Sequence, residues 1–170
     1  MEHANNEQQA RDIRKTTLEF ESWGDKIIDK GEELLEDIVI PEEYFEGFYL
    51  INKTEAESTF HSKRATKYMF GVDKQKNDKL IQVILCECDS VSNAHESIID
   101  YFMGSMANKI PRGEEKNIQV GDVTFIGYGE KVSTVIFARN NVMIAMQSVG
   151  DIDVDIQPFA EKIDNLLQKK

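Results

Sequence analysis

Lys131–Gly150 reads KVSTVIFARNNVMIAMQSVG, two alternating apolar runs on either side of Asn140-Asn141. Asparagine tolerates positive φ, which a two-residue type I′ hairpin turn requires at both central positions. With the turn placed there, Phe137 faces Ile144, Val135 faces Met146 and Ser133 meets Ser148. The large apolar residues then share one sheet face, and a slip of one residue would scatter them. That face is expected to pack on the last amphipathic segment through Phe159 and Ile163.

Outward from this hairpin the apolar period alternates between two and 3.6. Towards the C-terminus, Asp155 is a helix cap, Pro158 suits a first turn, and Phe159, Ile163, Leu166 and Leu167 make an apolar stripe. Towards the N-terminus, Val120–Tyr128 reads as a strand opened by Gly121-Asp122. Before it, Asp89, Ser90 and Ser92 offer N-caps for a helix whose stripe is Val91, Ala94, Ile98, Phe102 and Met106. Lys79–Cys88 is short and apolar on both faces, a central strand. Thr59–Val72 and Phe45–Ile51 read as two further strands, the former closing on a polar loop at Asp73–Asp78.

Gln8–Asp37 reads as one long helix that stops before Pro41, because the residue before proline avoids αR. Ile13, Phe20, Ile27 and Leu34 recur every seven residues, with Trp23 beside them. Gly24 and Gly31 lie on the same side, and each costs about 1 kcal/mol against alanine in a helix interior. This seam either packs on the chain's own sheet or serves self-association or a partner. The expected fold is α+β: an antiparallel sheet of about six strands with helices on one face. An N-terminal helical arm (residues 1–40) precedes a single globular unit (residues 41–170).

Composition bounds the function. The chain has 170 residues, 41% hydrophobic and 30% charged, which suits a domain with a real core. Its formal net charge is −11, against nonspecific binding to nucleic acid, which needs a basic face. No apolar run reaches the ~20 residues of a membrane span. MEHANNEQQARD has no basic-then-apolar signal-peptide pattern, so the sequence as given reads as cytoplasmic.

Motifs for chemistry are sparse. Cys86 and Cys88 are two residues apart on a strand, with Cα atoms ~6.6 Å apart, at the edge of disulfide geometry. Only His3, His61 and His95 are present to help complete a metal site, so two reduced core thiols are expected and no metal or cofactor. Asp151, Asp153 and Asp155 resemble the start of a calcium loop, but Ile156 and Lys162 occupy its glycine and glutamate positions. Asn52-Lys53-Thr54 is a glycosylation triplet with nothing else in its support. There is no G-x-S-x-G, P-loop or H-E-x-x-H, so no catalytic residue is assigned. His61, Lys63, Arg64 and Lys67 gather cations on one strand of an acidic chain. They read as a solvated edge strand guarded by lysines or as a docking face for an acidic partner.

Three stretches carry a resemblance: CDSVSNAHESIIDYF (88–102), VGDVTFIGYGEKVSTVIFARNNVMIAMQSVG (120–150) and DVDIQPFAEKIDNLL (153–167). The helix, the GD that opens a strand, the F-x-R-N-N hairpin and the last helix resemble small α+β domains of bacterial exported proteins and lipoproteins, of the PsbP/Mog1-like kind. The resemblance covers the C-terminal half and specifies fold, so no functional residue is carried over. It implies a non-catalytic binding or accessory role, and a second location: an exported or lipoprotein mature domain with its leader removed. The alternatives are an oligomeric interaction protein using the N-terminal helix (Ile13, Phe20, Trp23, Ile27, Leu34) and a small enzyme with an unrecognised site. The expected partner is a protein or a small anionic ligand, and the chain itself a monomer or homodimer.

Overall fold

The structure is a computed structural model that describes residues 2–26, 33–56, 61–73, 75, 78–107 and 109–169. Its centre is one antiparallel sheet of six strands: β1 (Tyr49–Ala56), β2 (Arg64–Gly71), β3 (Ile81–Glu87), β4 (Val123–Ile126), β5 (Thr134–Arg139) and β6 (Val142–Ser148). The spatial order is β1-β2-β3-β6-β5-β4. Three helices accompany it, α1 (Glu2–Thr17), α2 (Val91–Met103) and α3 (Gln157–Gln168). The expected α+β class therefore holds, and no described helix is long and apolar enough to cross a membrane.

The central hairpin has the expected register, with Val135 opposite Met146 and Phe137 opposite Ile144. These four are fully buried and share a core with Phe159 and Ile163 of α3. The turn departs from type I′: of its two central residues only Asn140 has positive φ, at 52°. Asn141 turns inward instead and is fully buried.

Helices cover both sheet faces, where one was expected. Strand side chains alternate, so Val135 and Phe137 face α3 while Ile136 and Ala138 face α2. The α2-side core holds Ala94, Ile98 and Phe102 with Cys86, Cys88 and Phe125. The inner strands are apolar on both faces for this reason.

Of the expected caps, Ser90 is the one used on α2, accepting a hydrogen bond from the Asn93 N–H at 3.0 Å. On α3 the N-cap position is Ile156, and Asp155 just before it accepts from the Gln157 N–H at 3.1 Å. The α2 stripe ends early. The helix stops at Met103, and Met106 lies beyond it, 99% exposed.

The long N-terminal helix is also corrected. α1 ends at Thr17, a 3-10 turn follows at Phe20–Lys26, and 33–41 is extended or irregular. Ile27 and Gly31 lie outside the described residues. Ile13 is 60% exposed, and the face that meets α2 is cationic. Arg11 bonds Glu96 and Asp100, Lys15 bonds Glu96, and Arg14 donates to the carbonyls of Ser105 and Ala107, both at 2.8 Å. Apolar anchoring falls to Leu18 and Trp23, which join the α2-side core.

Residues 33–40 cross from one face to the other around the hairpin end of the sheet, and Leu35, Ile38 and Ile40 enter the α3-side core. Asn141 holds this strap: its side-chain oxygen accepts from the Leu35 N–H (2.7 Å) and its amide donates to the carbonyls of Leu35 (2.9 Å) and Cys88 (2.8 Å). Asn140 donates to the Glu33 carbonyl at 2.8 Å, and buried Glu87 accepts from the Ile38 N–H at 2.9 Å.

Candidate functional site

The motif residues of the C-terminal half turn out to be one locking network. Gly121 has φ 67°, and a side chain there would strike the Ala138 carbonyl. Asp122 accepts from the Asn140 N–H at 2.9 Å and from Arg139 at 3.2 Å. Arg139 in turn forks onto Asp164 of α3 with two bonds of 2.8 Å. Two carboxylates share the one guanidinium, and the network fixes the hairpin to α3.

The four cations singled out in the sequence do not share one surface. His61 and Lys63 precede β2, and His61 has positive φ (56°). Arg64 and Lys67, three apart on the strand, face opposite sides of the sheet. β2 is not an edge strand, since β1 lies outside it. His61 pairs with Asp100, Lys63 with Glu36 at 3.3 Å, and Arg64 lies 3.5 Å from buried Glu87. Lys67 alone of the four makes no ion pair among the described residues. It lies half-buried on the α2-side face, between Thr54 and Ile84 on the neighbouring strands. The helix residues are equally scattered: Ile13 and Leu34 exposed, Phe20 half-buried, Trp23 buried.

The thiols are sealed. Cys86 and Cys88 are free and buried, and burial pushes the Cys86 thiol up to about 12. Cys88 is raised for the same reason, against a bond from Ser97. A thiol held protonated this firmly is a weak nucleophile. His95 is buried with its Nε2 unpartnered and the edge of Trp23 against its ring, centroids 5.9 Å apart. Burial lowers its pKa, overriding the opposing pull of Asp122 and Glu96. Among the described residues, no cluster of three or more His, Cys, Asp or Glu side chains is arranged to hold a metal ion.

What the structure offers is a cleft. Its volume is about 360 Å³, at the lower end of small-ligand sites, and it opens beneath the C-terminal end of α2. Tyr101, Phe102 and Ile110 wall one side and Ile136 the other, with only the backbone of Ile126 beside it because that side chain enters the α3-side core, and Gln147 and Thr134 reach its floor. Exposed Met106 lies in the 105–107 segment that forms the rim, and Tyr128, 62% exposed, anchors its hydroxyl on the Lys109 carbonyl. A larger hollow of about 740 Å³ lies beside α1, but among the described residues one local stretch, Asp12–Ser22, supplies its walls.

The cleft exists because α2 is too short to cover its sheet. Gly104 ends the helix, and the chain turns away to Pro111. α2 packs on β3, β6 and β5. Sequence reading missed this site because Met106 falls in register with the buried stripe. Gly104 was the one signal that the stripe stops short. Compared with protein-family models, with curated proteins and with solved structures, the chain finds no match.

Proposed function

We propose that this chain is a non-catalytic binding module whose recognition site is the cleft beneath the C-terminal end of α2. The observation that carries the reading is the cleft itself: apolar walls from Tyr101, Phe102, Ile110 and Ile136, with a nearly fully exposed methionine in the segment that forms the rim. Methionine is flexible and polarizable, suited to adapting against an apolar ligand. Conversely, the thiols and His95 are buried away from solvent, which supports binding over nucleophilic or acid–base chemistry.

The test uses the dye 8-anilinonaphthalene-1-sulfonate as an apolar probe. Gly104 has ordinary φ, and a Cβ there would meet only the Tyr101 carbonyl at 3.7 Å, an ordinary contact, so Gly104→Trp places a large ring at the cleft without straining the backbone. The wild type is expected to bind the dye saturably. Gly104→Trp and Met106→Asp are each expected to weaken binding by about tenfold, in line with loss of a well-buried apolar contact. Equal dye binding by all three proteins would contradict the reading.

A further inference from the structure

We infer that the ligand of this cleft is a small uncharged molecule with an apolar body and a carboxamide-like head that donates and accepts hydrogen bonds; the inference rests on the binding-module reading. Five of the side chains that line the cleft carry a polar group: Tyr101, Ser105, Tyr128, Thr134 and Gln147. Three are engaged inside the fold. Tyr128 donates to the Lys109 carbonyl, the Ser105 hydroxyl accepts from the Ala107 N–H at 3.2 Å, and Tyr101 is not free either. Thr134 and Gln147 remain. Neither side chain has a hydrogen-bond partner among the described residues, and the two stand directly opposite each other on β5 and β6, both half-buried. Gly127 borders them. A Cβ there would lie 3.1 Å from the Thr134 Cβ and 3.3 Å from its hydroxyl oxygen, so the bare glycine leaves that side of the hydroxyl open.

The floor selects the head. The Gln147 amide offers N–H donors and a carbonyl acceptor, and the Thr134 hydroxyl offers one donor and two lone pairs. A carboxamide answers both kinds of group, whereas a carboxylate only accepts and an ammonium only donates. A plain hydrocarbon would cover the pair and leave it unpaired. Charge argues the same way. Among the described residues no Asp, Glu, Lys, Arg or His lines the cleft, so an ion entering it would lose water and gain no counterion there. The walls select the body. Phe102, Ile110 and Ile136 suit a ring or a short branched chain, and about 360 Å³ restricts the ligand to a small molecule. The anionic dye tests these walls alone, with its sulfonate left in water outside.

Four probes share one para-fluorophenyl ring: para-fluorophenylpropanamide, the matching propanoate, the matching propylammonium and the ring-only para-fluoropropylbenzene. Binding to the full chain is read from fluorine NMR linewidths at neutral pH. The amide should bind about tenfold more tightly than either ion, each of which enters without a counterion. Gln147→Leu and Thr134→Val should each weaken the amide about fivefold, the scale of one hydrogen bond. Neither should weaken the ring-only probe, whereas a general loss of packing would weaken both. Propanoate or propylammonium binding as tightly as the amide would overturn the uncharged head and leave the cleft reading standing. Amide binding unchanged by both substitutions, or lost together with that of the ring-only probe, would overturn Thr134 and Gln147 as its partners. No binding of any fluorinated probe at millimolar protein, with the dye still bound and still weakened by Gly104→Trp, would overturn the ligand class alone. No binding of the dye either would overturn both.

Discussion

Asn141 shows how much one side chain organises here. It is fully buried and satisfies three backbone groups across the strap and β3. Asn141→Ala would leave those groups buried and unpaired, so a loss of about 3 kcal/mol is expected in urea unfolding. Hydrogen exchange at Leu35 should rise with it, and a loss under about 1 kcal/mol would contradict the latch. Phe137→Ala, fully buried between the hairpin and α3, should cost roughly 3–5 kcal/mol by the same measurement. His95 gives a pH dependence. Burial lowers its folded pKa below the ordinary 6.5, so the unfolded chain binds more protons once pH falls below about 6.5. Stability should decline from pH 7 towards pH 5, and His95→Gln should flatten that decline. Glu96 acts lower down. Burial opposes its ionised form, but bonds from Lys15 and Arg11 outweigh burial and hold its pKa below the usual value. Its contribution is therefore present above about 4.5 and lost as pH falls further. At this scale the sequence was partly legible. The Asn-Asn turn, the Ser90 cap and the buried cysteines follow from local chemistry. The inward turn of Asn141 does not, because its partners are more than a hundred and about fifty residues away.

The elements tell a different story, and α1 tells it best. A seven-residue apolar repeat predicted an apolar seam, yet α1 meets α2 through Arg11 and Lys15, and the segment after α2 through Arg14. The repeat misleads because it spans two kinds of structure: α1 has ended before Phe20 begins a 3-10 turn. Glu96 and Asp100, one helical turn apart on α2, supply the carboxylates that a cationic face needs. The contrast is measurable. Ile13→Ser should change stability by no more than about 0.5 kcal/mol, as for most exposed substitutions. Trp23→Ala should cost about 3–5 kcal/mol, since its ring is packed against Phe125, centroids 5.2 Å apart. A large Ile13 effect would mean that the repeat is buried after all. Arg14 has a second role. It clamps the Ser105 and Ala107 carbonyls, the segment that walls the cleft. Arg14→Ala should therefore weaken dye binding more than it lowers the urea midpoint.

For the whole molecule, the α+β class and antiparallel sheet were readable because hairpins and turn residues are local signals. The two-faced helix arrangement was not, since alternating apolar strands fit either layout until topology is known. The cleft was invisible for a related reason. Its walls come from Tyr101 and Phe102 of α2, Ile110 after it and Ile136 of β5, residues that belong to no motif. The proposed binding site is what α2 leaves uncovered, a property of tertiary packing and not of any residue type. The most direct measurement is a titration of the full chain, with its six methionines carbon-13 labelled at the methyl group, by 8-anilinonaphthalene-1-sulfonate. The account predicts that Met106, in the segment that forms the rim, shifts, while Met146, buried on the α3 side, stays still. Shifts centred on Met146 with Met106 unmoved, or no shift at saturating dye, would contradict it.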